Sequence, residues 1–417
     1  MAVAGIPVDF ILFALTLLGV ALFHHHTLYV GLTGMVVIAL YKLSFADFAG
    51  VPGIAGLVAL FGHEWVTLAN LLGLLLGFAL LADHFGRSHA TDLLPRILPD
   101  DWKGGFCLLL IVFVLSSFLD NIAAAMIGGS MAAVLYRNNV HIGFLAAIVA
   151  ASNAGGAGSV VGDTTTTMMW IAGVSPMQVL EAYVAALVAV LIFGVVAAHQ
   201  QHMLQPIMKD NPTGVRLDLP RLGIVAFILA TAIAVNIWFN LNRPEALQHF
   251  PVIGLAVWVA LLVSAPLRRP TWSLLPEALR GTVFLLSLVS CAAMMPVERL
   301  PVASWQSAMG LGFVSAVFDN IPLTALALRQ GGYDWGFLAY SVGFGGSMIW
   351  FGSSAGVALC NLYPEARSVV QWLRFGWHVA LAYAIGFGVM LAVVGWAPDA
   401  HVFGGHPPTS KSEMKSP

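Results

Sequence analysis

Residues 10–23 read FILFALTLLGVALF and residues 184–198 read VAALVAVLIFGVVAA. Runs like these, repeated along the chain, offer no polar face to water. Nor do they alternate apolar and polar residues as membrane barrel strands do. In a bilayer every backbone N–H and C=O must find its partner inside the protein, so the spanning choices are a helical bundle or a closed barrel. The absence of alternation selects helices. Charge settles the solvent: 9% of the 417 residues are charged and 59% are hydrophobic, where soluble domains carry about 25% charged residues. With a mean hydropathy of +0.87, the chain cannot clothe a water-facing surface. The reading is an all-α polytopic membrane protein whose first partner is the lipid bilayer.

The three cysteines, Cys107, Cys291 and Cys360, all lie in apolar stretches and point to neither a disulfide framework nor a metal cluster. A net charge of −2, without a long basic run, gives no reason to expect nucleic acid. The N-terminus lacks the charged region and small-residue cleavage site of a signal peptide, so its first apolar run is expected to stay as a span.

A helix needs about 20 residues to cross the roughly 30 Å hydrocarbon core. Segments 6–23, 27–41, 66–82, 177–198, 221–239, 251–266, 280–297 and 374–396 qualify, and 45–62, interrupted by Gly and Pro, is a weaker ninth. Four zones remain, in two pairs. Zones 104–136 and 304–328 are each split by Asp-Asn, in SSFLDNIAA and SAVFDNIPL, 199 positions apart. Each is followed by a zone, 143–173 or 336–363, that opens Gly-Phe-Leu-Ala and then turns rich in Gly and Ser. Glycine disfavours continuous helix, so these second zones read as helices with unwound centres. The chain carries an internal duplication.

Basic residues give its orientation, because cytoplasmic loops collect them. Each arm of 104–136 and 304–328 holds about 15 residues, roughly 22 Å as helix, which favours re-entrant hairpins. If 45–62 spans, one face gathers Lys42, Arg87, Arg96, Lys103, Arg137, Lys209, Arg216, Arg221, Arg268, Arg269, Arg280, Arg367 and Arg374. The other holds Arg243, Arg299, Arg329, Lys411 and Lys415. The first hairpin then opens to the cytoplasm and the second to the outside, so the repeats are inverted. That arrangement, with broken helices meeting near the midplane, is the architecture of secondary transporters. The expected divisions are N-terminal spans 1–62, a first repeat 63–198, a cytoplasmic linker 199–220, a second repeat 221–396 and a disordered tail 397–417.

Asp120, Asp163 and Asp319 lie in or beside the breaks. A charge at the bilayer centre costs about 2.5–3.5 kcal/mol on insertion scales, which makes function its default explanation. A carboxylate at a helix break can hold a hard cation with freed carbonyls, amides and hydroxyls. Asn121 and Asn320 adjoin two of the aspartates, Asn153 opens the first glycine-rich break, Thr164 and Thr165 follow Asp163, and Ser353 and Ser354 mark the matching break in the second half. Oxygen ligands of this kind suit Na⁺ or H⁺ and not a soft transition metal. Burial favours a protonated carboxyl and a nearby cation the ionised form, so one carboxylate can carry either. The competing structural role is helix capping, at which Asp excels; the two roles can coexist.

Other polar residues have plainer readings. His24 to His26 read as an interfacial turn, since no acidic or Cys partner is near in sequence. His378, in the last span, reads as packed and hydrogen-bonded. Glu64, Asp83 and His84 flank one helix and are expected to be solvated.

At these residues the chain resembles the NhaD-type sodium/proton antiporters of the ion-transporter superfamily, which also holds arsenite efflux pumps and citrate and dicarboxylate carriers. The resemblance lies in SSFLDNIAAAMIGG, ASNAGGAGSVVGDTTTTMMWIAGVSP, SAVFDNIPLTALAL and GFGGSMIWFGSSAGVA, and their order fits from about residue 66 to 396. GDTTTTMMW is the most specific piece. The resemblance implies a scaffold domain, a moving transport domain, a homodimer and elevator-like motion. It also implies that Asp120, Asn121, Asp163, Thr165, Asp319 and Asn320 lie near the ion site. The chain departs from the pattern at Ala123, Ala124 and Ala125, where such antiporters carry threonines, and at GSVV before Gly162.

The expected function is therefore Na⁺/H⁺ exchange by alternating access in a multi-pass protein of the inner membrane, with Asp120–Asn121 and Asp319–Asn320 as the inverted halves of one Na⁺ site, the two ions as cargo and no cofactor. The alternative is a carrier of a small anion such as citrate, a dicarboxylate or arsenite: the three alanines enlarge the first site, whereas the absence of arginine within the breaks argues against a multiply charged anion. An intramembrane aspartyl protease is disfavoured by motif, since Leu119-Asp120 and Phe318-Asp319 replace Tyr-Asp and VVGD replaces Gly-x-Gly-Asp. A non-transporting scaffold gives no reason for aspartates at matched tips. No enzyme activity is expected.

Overall fold

The computed structural model describes residues 2–3, 6–23, 26–48, 50–90, 98–208 and 217–399. His24, His25, Arg96, Lys209, Arg216 and residues 400–417 of the expected tail, with Lys411 and Lys415, lie outside the described residues. Apart from two short antiparallel pairs (Ala2–Val3 with Ile6–Pro7, Asp47–Phe48 with Val51–Pro52), the described chain is built on helices.

In chain order these are α1 Val8–Leu22, α2 Thr27–Phe45, α3 Gly53–Gly86, α4 Trp102–Ser116, α5 Asn121–Leu135, α6 Ile142–Ala157, α7 Thr164–Ile171, α8 Pro176–Leu180 and α9 Ala182–Leu204. There follow α10 Leu219–Asn242, α11 Pro244–His249, α12 Val252–Ser264, α13 Leu275–Ala293, α14 Trp305–Ser315, α15 Asn320–Gln330, α16 Trp335–Gly345, α17 Ser354–Leu362, α18 Val369–Phe375 and α19 Trp377–Val393. Five stretches among the described residues are long and apolar enough to cross a membrane: α2, α3, Pro176–Leu204, Leu219–Phe239 and Trp272–Ala293. The pair α18 and α19, bent by 59°, makes a sixth. α1 and α12, expected as full spans, are shorter apolar helices. This is an all-α, multi-pass membrane protein.

Local chemistry fixes many of the helix starts. Asp101 caps α4 through the N–H of Lys103, Ser175 and Ser304 form capping boxes before α8 and α14, and Asp334 accepts from the N–H groups of Gly336 and Phe337 at the start of α16. α15 stops where Gly331 takes φ +69°, a left-handed conformation that costs glycine little.

One expectation fails in α3. Segments 45–62 and 66–82 read as two spans, but Gly53–Gly86 is a single helix of 34 residues, about 51 Å long. Gly53 and Gly62, read as interruptions, are respectively its first residue and an interior residue, and α3 packs against α13, α12, α10 and α2. Tertiary packing overrides the weak local preference. The expected boundary at 62/63 therefore falls inside a helix. Lys42, near the end of α2, and Arg87, just after α3, stand at opposite ends of the bundle instead of sharing a face.

Both ends are held by charge. Lys42 is buried, donates to the carbonyl of Met294 at 2.6 Å and lies 4.0 Å from Asp9. At the far end Asp83 accepts from Arg87 at 2.9 Å and from Thr271 at 2.7 Å, and buried His84 meets Arg221 at 3.0 Å. Arg268 donates to Asp218 at 3.0 Å and holds that carboxyl below its ordinary range. Glu64, part-buried, accepts from Arg329 of α15 at 2.9 Å. The expectation of solvation for Glu64, Asp83 and His84 is thus overturned: the length of α3 carries them into contact with other helices.

The zones read as split hold α4–turn–α5 and α14–turn–α15, two helical hairpins, and α6–break–α7 and α16–break–α17, two interrupted helices. The close packing is glycine-made in both halves. A Cβ on Gly155 would strike the carbonyl of Phe113, and one on Gly345 would strike that of Gly312.

Candidate ion-binding site at two helix breaks

Each hairpin tip and each break ends in a capping side chain. Asp120 accepts from the N–H of Ile122 at 3.3 Å, Asp319 from Ile321 at 3.0 Å, Asp163 from Thr165 at 3.3 Å and Ser353 from Gly356 at 3.3 Å. The capping role is therefore present. It occupies one carboxylate oxygen per aspartate and leaves the other. The second oxygen of Asp163 takes the amide of Asn320 at 3.4 Å, and that of Asp319 takes the hydroxyl of Ser354 at 3.2 Å. For Asp120 the cap uses Oδ2, and the residue borders a cavity.

The halves are joined across their breaks. Asn153 of α6 donates to Ser347 at 2.9 Å and to Ser353 at 3.1 Å, and accepts from Asn121 of the first hairpin at 3.1 Å. Asn320 of the second hairpin reaches Asp163 in the first break. Nine of the ten residues singled out from sequence thus lie at the two tips and the two breaks, and Asn153 lies one turn before the first break, within α6. The threonines divide their work. Thr166 and Thr167 each donate to the carbonyl of Asp163 at 2.9 Å and brace the break. Thr164 borders the cavity, and the buried hydroxyl of Thr165 finds no partner among the described residues.

The cavity is about 10 Å³, room for about one water molecule. Asp120, Asp163, Thr164 and Thr167 supply its polar wall, and Leu71, Leu74, Leu75 and Phe78 of α3, with Val161, supply the rest. A bare sodium ion is no larger than water. Every polar side chain on this wall is an oxygen donor to a cation, and no Lys, Arg or His borders it. Among the described residues no group of three or more His, Cys, Asp or Glu could hold a transition metal, and the three cysteines are free.

Sequence reasoning missed the α3 wall, Ser347 and the bracing by Thr166 and Thr167. Nothing local marks four apolar residues of α3 as cavity lining, whereas Ser347 stood within GFGGS and could have been taken from that glycine-rich break. His378 is fully buried in α19, its ring at 6.0 Å from that of Trp377, the packed histidine expected, and it does not border the cavity.

Fold and site define an integral, multi-pass α-helical membrane protein with carboxylates gathered at paired hairpin tips and helix breaks. The chain is similar in sequence to sodium/proton antiporters, several of them of the NhaD type. It is 27% identical to sodium/proton antiporter 1 of Arabidopsis thaliana over 372 residues, 79% of this chain and 60% of that protein. It is 27% identical to the Na⁺/H⁺ antiporter NhaD of Vibrio parahaemolyticus over 341 residues, 68% of this chain and 78% of that protein, and 25% identical to that of Halomonas elongata over 332 residues, 68% and 65% respectively. The match spans about 60% of the Arabidopsis relative's length. These relatives are named as antiporters and not as enzymes. No family model matches the chain.

Proposed function

We propose that this chain exchanges Na⁺ for H⁺ by alternating access, with Asp120 and Asp163 as the carboxylates that carry either ion. The observation that carries the reading is the cavity: ion-sized, lined mainly by apolar residues of α3 and bordered by Asp120, Asp163, Thr164 and Thr167. Ionised, Asp120 and Asp163 attract a cation stripped of water; protonation of a carboxylate removes that attraction and releases Na⁺. Competition for the same oxygens couples the two fluxes. The antiporter names of the relatives support the same ions.

The two hairpins and broken helices act in this reading as inverted repeats. Asn320 joins the Asp163 carboxylate, Asp319, Ser353 and Ser354 form the matching arrangement in the other half, and the hairpins and broken helices move against α1–α3, α10, α12 and α13 in an elevator-like way. For the orientation, Arg87, Arg221 and Arg268 gather at one end of α3, whereas Lys42 and Arg329 stand nearer the other, so the first end faces the cytoplasm in this reading. An inner-membrane location and a homodimer follow from the resemblance. The small-anion reading is disfavoured: the cavity lacks a cationic side chain and is far too small for a carboxylate substrate.

The test uses purified protein in proteoliposomes holding a pH-sensitive dye. After a pH gradient is imposed, Na⁺, Li⁺, K⁺ and citrate are added in turn. Proton movement on adding Na⁺ is expected, reduced to that of protein-free liposomes in Asp120→Asn and Asp163→Asn. Citrate uptake without any cation response would overturn the exchange reading.

A further inference from the structure

The Na⁺/H⁺ reading leaves open how many cations one chain carries, and the inference here rests on that reading. The two broken helices correspond with a shift of 190 positions, from Gly156 to Gly346. A Cβ on Gly156 would meet the carbonyl of Gly162 and the Cβ of Asp163; one on Gly346 would meet the carbonyl of Gly352 and the Cβ of Ser353. By the same shift Gly155 corresponds to Gly345, and both press on hairpin backbone. Asn153 then corresponds to Gly343, and Asp163 to Ser353.

The two positions differ in chemistry and in room. Beside Gly343, an added Cβ would lie 3.3 Å from Oδ2 of Asp163 and 3.3 Å from Ala157. Asn320 approaches the carboxylate directly at 3.4 Å. In the other half the Asn153 amide stands in between, bonded to Ser347, Ser353 and Asn121. Whichever of its ends faces the serines, the amide stands where the other half has only glycine beside the Asp163 carboxylate, and Ser353 offers a hydroxyl where the first half offers a carboxylate. A cation there would have to displace a fully buried amide from three hydrogen bonds without gaining a negative partner at residue 353.

We propose that each chain binds a single Na⁺, at the Asp163 half where that carboxylate borders the cavity with Asp120, and that the Asn153 amide stands in for a second cation in the other half. Asn153 on this view sets the ion count and is not itself a ligand.

The test is equilibrium binding of radioactive Na⁺ to the full-length protein in lipid nanodiscs, counted per chain, beside the liposome exchange assay. One Na⁺ per chain is the expected result for the natural sequence, and a second is expected in the double variant Asn153→Gly, Ser353→Asp. Two Na⁺ per chain in the natural protein would overturn the single-site proposal while leaving exchange intact. A folded double variant that still binds one would overturn the role given to the amide. Absence of both binding and exchange would instead overturn the Na⁺/H⁺ reading beneath it. The count in the natural protein needs no variant to fold.

Discussion

At the residue scale the site depends on aspartates that do two things at once. One oxygen of Asp163 and of Asp319 satisfies a backbone N–H that the helix start would otherwise leave orphaned, and the second turns to side chains across the break. Capping holds the carboxylate in place before any ion arrives. The glycines around it divide into two kinds. Gly345→Ala would drive a methyl into the backbone of Gly312, and overpacking of this sort costs about 1–3 kcal/mol; a lower midpoint of thermal unfolding in detergent is expected, and an unchanged midpoint would show that α16 can yield. A Cβ on Gly343 would press on Asp163 and Ala157, each at 3.3 Å. Gly343→Asn is expected to lower the unfolding midpoint and, in the protein that folds, to crowd the Asp163 carboxylate with an amide and abolish Na⁺ binding. Binding at the natural affinity would count against a cation at Asp163.

At the element scale α3 is the organising helix. One face supplies the apolar wall of the cavity, its C-terminal end carries the Asp83–Arg87 ion pair, and Glu64 ties it to α15 through Arg329. The pair is part-buried, so removing one partner leaves the other charge partly desolvated. Glu64→Gln is expected to destabilise more than Glu64→Gln combined with Arg329→Gln. The coupling is expected near the upper end of the roughly 0.2–1 kcal/mol found for exposed pairs. Additive losses across the double-mutant cycle, read as unfolding midpoints, would show that the contact carries no energy of its own.

At the scale of the whole molecule the single crossing of α3 sets the path of everything before it. The turn at Val51 and the loop at Arg269 are exposed at opposite ends of the bundle. In a background without Cys107, Cys291 and Cys360, Val51→Cys is expected to react with a membrane-impermeant maleimide from outside and Arg269→Cys only from the cytoplasmic side. Labelling of both from one side would restore a crossing within 45–62. The cavity at the border of α3 and α7 fits a molecule whose two helix groups meet at the site.

The sequence by itself determined the solvent, the helical class, the two Asp-Asn tips, the glycine-rich breaks and the family resemblance. These are local properties: apolar runs, costly charges and glycine each act on the few residues around them. Three things were decided only by tertiary structure. α3 became one helix because its neighbours cover it, Glu64, Asp83 and His84 found partners far away in sequence, and Asn153 and Gly343 came to occupy corresponding places with opposite consequences for an ion. Repeat alignment through Gly-Phe-Leu-Ala runs at a shift of 193 positions, three more than the shift that governs the breaks, because α16 is shorter than α6. Which side chain fills a cation-sized space depends on such offsets between packed helices, and a pattern read along one chain does not contain them.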